Sequence, residues 1–323
     1  MKGKILEQLR KTDSVVSGEI LSAALGLSRV SIWKHIQGLK ERGYEIDATA
    51  RGYRLVKSPD IPYAWEFPER CYRIHYVGQV DSTMKLARKM ARKGAPAFTI
   101  VVADTQTQGR GRMKRVWRSE KGGLYFTLII RPAVALIHSA RINLYAAIIL
   151  AGTLNKMFSI DARVKWPNDI LVQEKKLAGL LTEMEAESDQ VVFMNIGIGI
   201  NVNNNPTPHE PSAVTLKKLM GHPVSRIELL SSFLDDFTAG FSMATSHEVI
   251  DRWKQSTVTL NRPVEVVTPR DVTRGVAVDI DENGGLMIQQ PDGTIKTVVY
   301  GDCFHQELPG VAMNTGTGHK CSP

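Results

Sequence analysis

The chain has 323 residues and a formal net charge of +8 at pH 7, with 43% hydrophobic and 23% charged residues. This length allows two or three domains with a sizeable core, and the composition excludes a fibrous or largely disordered protein. The first ten residues carry no apolar run of a signal peptide, and the most apolar stretch, Leu144 to Leu154, is about half the ~20 residues that a membrane-spanning helix needs.

The cysteine content predicts a reducing compartment. Only Cys71, Cys303 and Cys321 are present, an odd number without the spacing of a metal site or a disulfide framework. We therefore expect a cytoplasmic protein without membrane association.

The first 57 residues predict a winged helix-turn-helix domain. A helix over Glu19 to Leu25 is followed by a turn at Gly26-Leu27, and a second helix, capped by Ser28, runs to about Arg42 and stops at Gly43. The alternating segment that follows, 44–55, is typical of a hairpin wing.

The second helix has an outward face suited to the DNA major groove. Ile32, Ile36 and Leu39 form its buried stripe, so cationic, amide and branched apolar side chains point away from the core. The residues expected to contact DNA are Ser28, Arg29, Val30, Trp33, Lys34, Gln37 and Arg51, with Arg54 as a further phosphate contact. Positions 1–60 hold eleven Lys and Arg against seven Asp and Glu, which fits a polyanionic partner. A module used only for protein contacts is the alternative.

A connector with two prolines, 57–62, separates this head from a central region, 63–257, that mixes strands and helices. Predicted strands there are 98–103, 124–130, 170–172, 177–184 and 191–200, and predicted helices are 84–93, 142–158 and 227–237. Short turns join strands as often as helices do, which indicates an α+β domain with a mixed sheet. A last region, 260–308, predicts short strands with hairpin turns at 281–285 and 291–293. We expect the tail, 309–323, to be disordered.

Three segments of the central region carry candidate chemistry. The first, 104–117, contains Gly-Arg-Gly-Arg, and six basic residues against one acid lie between Arg110 and Lys121. Such a loop is unfavourable unless phosphate or carboxylate neutralises it, although a nucleic-acid surface or plain solvation is the alternative.

The second segment is Lys-Trp-Pro-Asn-Asp at 165–169, a turn, followed by Lys-Leu-Ala-Gly at 176–179. The third is Asn-Ile-Gly-Ile-Gly-Ile-Asn at 195–201. Its alternating glycines clear one face of a strand, either for a ligand or for close packing of a helix.

In this order and spacing, the three segments resemble the catalytic core of biotin protein ligases. With the winged helix in front, the chain resembles the bifunctional group that also represses biotin genes, over about 4–308. The resemblance implies a class II synthetase-like central domain and an SH3-like C-terminal barrel.

The resemblance also implies site residues. Those implied to bind biotin are Ser82, Thr83, Gln106, Arg110, Gly111, Arg112 and Lys176. Those implied to bind ATP are Arg112, Arg115, Trp117, Asn168, Asp169 and Asn201, with Asp169 also a ligand of Mg²⁺. Arg112, Lys176 and Arg110 are the implied catalytic residues. Many relatives have Asn or Gln where this chain has Met84, which puts that polar contact in doubt.

The implied reaction forms biotinyl-5′-AMP from biotin and ATP and transfers biotin to a lysine of the biotin carboxyl carrier protein of acetyl-CoA carboxylase. The implied partners are this carrier, operator DNA of biotin genes and, when the adenylate is bound, a second copy of the chain. A ligase with a non-repressing head, a biotin-sensing regulator without ligase activity and a lipoate ligase are the alternatives.

Overall fold

A computed structural model describes residues 1–306, so the predicted disordered tail, 309–323, lies outside the described residues. The chain forms two compact units. The first contains Met1–Pro132, Leu181–Glu185 and Val192–Asp236, and the second contains Ala133–Leu180, Ala186–Val191 and the chain from Phe237.

The head of the first unit is a winged helix-turn-helix, as predicted. Its elements are α1 (Lys2–Arg10), α2 (Gly18–Leu25), α3 (Arg29–Lys40), β1 (Glu45–Thr49) and β2 (Gly52–Lys57). The predicted caps form: Ser28 Oγ accepts the Ser31 amide at 3.2 Å, and Gly26 ends α2 in the left-handed region at φ 65°. Ile32, Ile36 and Leu39 are fully buried, which confirms the predicted stripe.

The mixed sheet of the first unit is built from β3 (Ile74–Val80), β4 (Thr99–Gln106), β5 (Leu124–Ile130) and β9 (Gln190–Ile200). β3 and β4 are parallel, whereas β4–β5 and β5–β9 are antiparallel. Helix α4 (Thr83–Arg92) covers one face, where Ala87 and Ala91 pack with Val101, Ile129 and Phe193. The sequence did not predict β3, because only Ile74 of this edge strand is buried and the strand has no apolar run.

A buried arginine ties the connector to this sheet. Arg226, 5% exposed, begins α7 (Arg226–Ala239), and its guanidinium contacts Asp60 Oδ2 and Asp104 Oδ1, each at 3.0 Å. Asp60 also accepts the backbone amide of Arg226 at 2.7 Å, and Tyr76 donates to Asp104 at 2.8 Å. One guanidinium therefore bridges two carboxylates, one in the connector and one in β4.

Helix α5 (Ser139–Phe158) is the long helix of the second unit. Leu136–Phe158 is long and apolar enough to cross a membrane by length and composition, and 56% of its most apolar window is buried in the protein. The core helix of a soluble protein meets the same test. Arg141 within α5 donates to the carbonyls of Glu282 and Thr245, so the helix packs as a core element, longer than the sequence predicted.

The same unit contains an antiparallel ladder of β6 (Arg163–Lys165), β7 (Asp169–Val172) and β8 (Lys175–Glu187), the last of which crosses the unit boundary. The short helices α6 (Leu216–Met220), in the first unit, and α8 (Glu248–Ser256), in the second, complete the central region.

The last region is an all-antiparallel β module, as predicted. Its strands are β10 (Pro263–Val267), β11 (Val272–Ile280), β12 (Leu286–Gln289), β13 (Ile295–Val298) and β14 (Asp302–His305). Their order is β13-β12-β11-β10-β14. The sequence did not predict β14, a strand of four residues.

Replacing Arg226 should destabilise the protein strongly. In Arg226→Met, Asp60 and Asp104 keep their charges without the guanidinium, which should lower the free energy of unfolding by about 3–5 kcal/mol. Urea unfolding measures the loss. The control is Arg274→Met, which removes a 71%-exposed partner of Glu265 and should cost about 1 kcal/mol or less. Equal losses in the two variants would contradict the prediction.

Candidate active site

The N-terminus of α4 presents buried polar groups. Ser82 is the N-cap residue and is 1% exposed, yet its side chain makes no cap hydrogen bond. Its hydroxyl has no hydrogen-bond partner within residues 1–306. Ser82 therefore occupies the cap position, while its side chain is left to bind something else.

The amide of Gln106 lies against the first turn of α4. Gln106 Oε1 accepts from the backbone amide of Thr83 at 2.8 Å and from Thr83 Oγ1 at 3.1 Å, and Gln106 Nε2 donates to Ser119 Oγ at 2.8 Å. Thr127, fully buried in β5, is 2.8 Å from Thr83 Oγ1. The structure thus brings together three residues that the resemblance assigns to biotin: Ser82, Thr83 and Gln106.

On one face of β9, another residue lies so close to each of the two glycines that a side chain would not fit. A Cβ built on Gly197 would lie 2.7 Å from Met84 Sδ, and one built on Gly199 would lie 2.5 Å from the indole of Trp117. Of the two interpretations of this motif, close packing is therefore the one seen at Gly197. At Gly199 the strand approaches the ring that the resemblance assigns to adenine.

The basic loop after β4 folds back on itself. The amide of Trp117 donates to the Gly109 carbonyl at 3.0 Å, and that of Gly111 to the Arg115 carbonyl at 2.8 Å. Arg110 lies 3.1 Å from Glu183, a residue of β8 in the first unit. Arg115 is exposed and Arg112 half-buried. A carboxylate therefore neutralises one of the implied catalytic arginines.

The second unit holds the implied residues Asn168, Asp169 and Lys176, whereas Asn201 lies in the first unit, where it is buried and accepts from Asn204 Nδ2 at 3.1 Å. Lys176 Nζ lies 2.8 Å from Asp169 Oδ1, and Asn168 donates to the Leu180 carbonyl. The turn before them contains a cis Trp166–Pro167 bond, and Trp166 donates to the Gly284 carbonyl at 3.0 Å. Among residues 1–306, no three His, Cys, Asp or Glu side chains are grouped as a metal site.

A half-buried histidine lies beside this turn. Thr259 Oγ1 accepts from the Trp166 amide at 2.9 Å and lies within hydrogen-bond distance of His305 Nε2, at 3.3 Å. Burial, then the charges of Lys165 and Arg262, lower the pKa of His305 to about 4, although Glu174 opposes them. His305 is therefore neutral at pH 7.

The sequence interpretation gave no role to Thr127, Glu183 and Ser119, which take part in these contacts, or to Asn195 at the start of the third motif. Asn195 is fully buried, and neither side-chain amide atom has a partner in the described part of the chain. Thr127 and Asn195 are polar residues within apolar strands, a signal that could have identified them. Ser119 and Glu183 carry no such signal, because their partners are distant in sequence.

Most of the predicted DNA face is exposed, and Gln37 is half-buried. Val30 is 63% and Trp33 52% exposed, and Lys34 is exposed beside them. Arg29 pairs with Glu19, and Arg54 of the wing pairs with Asp47 at 2.6 Å. Arg51 lies in the exposed turn between β1 and β2. The face keeps the apolar and cationic groups on which the DNA prediction depends.

Family models match three segments of the chain. The Biotin/lipoate A/B protein ligase family matches residues 76–203, an HTH domain matches 2–54, and the Biotin protein ligase C terminal domain matches 259–306.

Relatives match nearly the whole chain. The bifunctional ligase/repressor BirA of Bacillus subtilis is 36% identical over 296 residues, which cover 87% of this chain and 91% of the relative. BirA of Escherichia coli is 29% identical over 300 residues, covering 88% and 91%. The solved biotin protein ligase of Aquifex aeolicus in complex with biotin and ATP has a TM-score of 0.62 and 28% identity, covering 73% of this chain and 99% of that one.

The low pKa of His305 predicts acid sensitivity. The unfolded chain protonates this ring near its ordinary pKa of 6.5, whereas the folded chain does so only near 4, so the folded state should lose stability as pH falls through this interval. In urea unfolding, His305→Gln should lose less free energy of unfolding between pH 7 and pH 4.5 than the wild type does. The exposed His222→Gln is the control and should behave as wild type. A wild-type pH dependence retained in His305→Gln would contradict the assignment.

Proposed function

The chain belongs to the bifunctional ligase/repressor group of the biotin protein ligase family, and from this premise we propose how its own residues carry out the two activities. It is an ATP-dependent biotin protein ligase and a DNA-binding repressor. Biotin and ATP are its substrates, and the acceptor is a lysine of a carboxylase carrier protein.

The observation that carries the biotin assignment is the unpartnered Ser82 hydroxyl beside the fixed Gln106 amide. Biotin has a neutral ureido group that both donates and accepts hydrogen bonds, and hydroxyl and amide groups complement it without a charge. The dithiolane ring of lipoate offers no such donors. The same groups would remain unsatisfied under lipoate, which favours biotin.

Arg112, Arg110 and Gly111 are proposed to order over the adenylate. The acyl phosphate needs positive charge where phosphate charge develops and protection from water, and no protein nucleophile is required. Arg110 would exchange Glu183 for the ligand, since a phosphate accepts two guanidinium hydrogen bonds. Trp117, whose indole lies close to Gly199, is proposed to stack on adenine, and Arg115 and Asn201 are proposed for the rest of the nucleotide.

Lys176 is proposed to meet the biotin carboxylate and the α-phosphate. At rest its charge is satisfied by Asp169. Asp169 would be the residue to hold Mg²⁺, which proteins commonly bind through one or two carboxylates plus substrate phosphates. The single carboxylate of Asp169 fits such a site, and Asn168 lies beside it as a neutral oxygen or amide contact for the nucleotide. Bound Mg²⁺ would supply further charge neutralisation of ATP.

The remaining proposals concern assembly and location. We assign DNA binding to 1–57, catalysis to 63–257 and a supporting β module to 260–308. The DNA is proposed to be the operator of biotin genes, bound by a homodimer that forms with the adenylate, because a two-fold protein matches a two-fold operator. The compartment is proposed to be the cytoplasm.

Removing the Lys176 charge should slow adenylate formation. Lys176→Ala should reduce the pyrophosphate burst by about a hundredfold, because a charge aimed at the developing phosphate charge is lost, while the biotin Kd changes much less. Rapid-quench kinetics measures the pyrophosphate burst, and calorimetry measures the biotin Kd. Lys175→Ala is the matched control, because this neighbouring lysine is exposed. It should change the pyrophosphate burst by less than about twofold. A wild-type burst in Lys176→Ala would contradict the role.

The repressor role predicts a biotin-dependent gel shift. The full chain should bind a biotin-gene promoter fragment from its own organism more tightly with biotin and ATP than without them. Lys34→Ala should raise the Kd by about tenfold, because a groove contact is lost. Lys11→Ala replaces an exposed lysine of the head outside the proposed DNA face and should leave the Kd unchanged. Binding that ignores both biotin and Lys34 would contradict the proposal.

A further inference from the structure

Ser119 contacts the Gln106 amide from the side opposite Thr83. Its Oγ accepts from Gln106 Nε2 at 2.8 Å and lies 3.2 Å from the carbonyl oxygen of Trp117. Ser119 is 6% exposed, so solvent does not replace these partners. The hydroxyl therefore joins two residues at opposite ends of the basic loop.

The direction of each hydrogen bond follows from its partners. The Thr83 backbone amide only donates, so the Gln106 atom that faces it is Oε1 and the atom that faces Ser119 is Nε2. The Trp117 carbonyl only accepts, so it takes the single hydroxyl hydrogen of Ser119. Ser119 is thereby left as an acceptor toward Gln106 Nε2.

The backbone holds Ser119 in this place. The amide of Gln106 donates to the Ser119 carbonyl at 3.2 Å, so the two residues pair across the base of the loop. A Cβ at Gly109 would lie 2.2 Å from the Trp117 carbonyl oxygen and 2.7 Å from Ser119 Oγ. Glycine at 109 is therefore required for this hydroxyl to reach both partners.

The consequence is a fixed polarity of the Gln106 amide. Both of its ends are engaged by protein, and the second hydrogen of Nε2 remains as the group that Gln106 offers to a ligand. That group is a donor, which complements the carbonyl oxygen of a ureido ring. An amide turned by 180° would offer an acceptor there instead.

We propose that Ser119 is a positioning and specificity-determining residue that fixes the Gln106 amide as a donor toward the ureido oxygen of biotin. The inference rests on the proposed role of Gln106 in biotin binding. It goes beyond that role by assigning the polarity of the contact to a residue that does not touch the ligand.

The test compares biotin with 2-iminobiotin, in which a protonated guanidino group puts a donor where biotin has the carbonyl acceptor. Calorimetry on the full chain without ATP gives both Kd values for wild type, Ser119→Ala, Ser119→Thr and Thr107→Ala. Thr107 is the control because its exposed hydroxyl lies in the same loop, outside the Gln106 hydrogen bonds.

Ser119→Ala should weaken biotin binding by about tenfold and narrow the preference for biotin over 2-iminobiotin, because the amide is free to turn. Ser119→Thr keeps a hydroxyl and should preserve both the biotin Kd and the preference for biotin. Thr107→Ala should preserve them as well. An unchanged biotin Kd in Ser119→Ala would overturn the proposal. Weaker binding of both ligands with an unchanged ratio would also overturn it, since that result indicates a merely structural role.

Transfer of biotin to a carrier domain is measured separately with the wild type. A wild type that binds biotin but does not transfer it contradicts the ligase function and leaves the Ser119 comparison intact. A wild type that transfers biotin while Ser119→Ala keeps the wild-type ratio contradicts only the role of Ser119.

Discussion

The contact between α4 and the glycine face of β9 is the constraint on which the candidate biotin site depends. A Cβ at Gly197 would lie 2.7 Å from the sulfur of Met84, the second residue of α4, so a side chain at 197 would displace Met84 from the strand. Ser82 and Thr83 are buried at the start of this helix, where Gln106 accepts from the Thr83 amide. Gly197 therefore affects the site through Met84 and α4.

Neutral and charged groups have separate tasks in this protein. The groups at the start of α4 are hydroxyls and an amide, which suit a neutral ring. Arg110 and Lys176, proposed for phosphate, are paired with Glu183 and Asp169. Pairing lowers the cost of keeping cations in a site that must later hold anions, because each carboxylate is exchanged for a phosphate of the same sign.

The first unit connects its head to the strand that carries Gln106. Asp104 lies two residues before Gln106, and Arg226 joins it to Asp60 of the connector. On the head side, Tyr63 stacks on Trp65 at 4.5 Å, and Trp65 donates to Tyr44 at 2.9 Å. The connector is thus held by charge at one end and by aromatic contacts at the other, within one compact unit.

The sequence by itself determined the winged helix, the mixed sheet, the antiparallel C-terminal module and the motifs of the ligase family. These depend on local periodicity, caps and turn residues, as Ser28, Gly26 and Ile36 illustrate. Tertiary structure decided the rest: the edge strand β3, the ion pairs of Arg226 and Glu183, the neutrality of His305 and the role inferred for Ser119. Each of these features depends on partners that are distant in sequence or on burial. Neither of these two causes leaves a periodic signal along the chain.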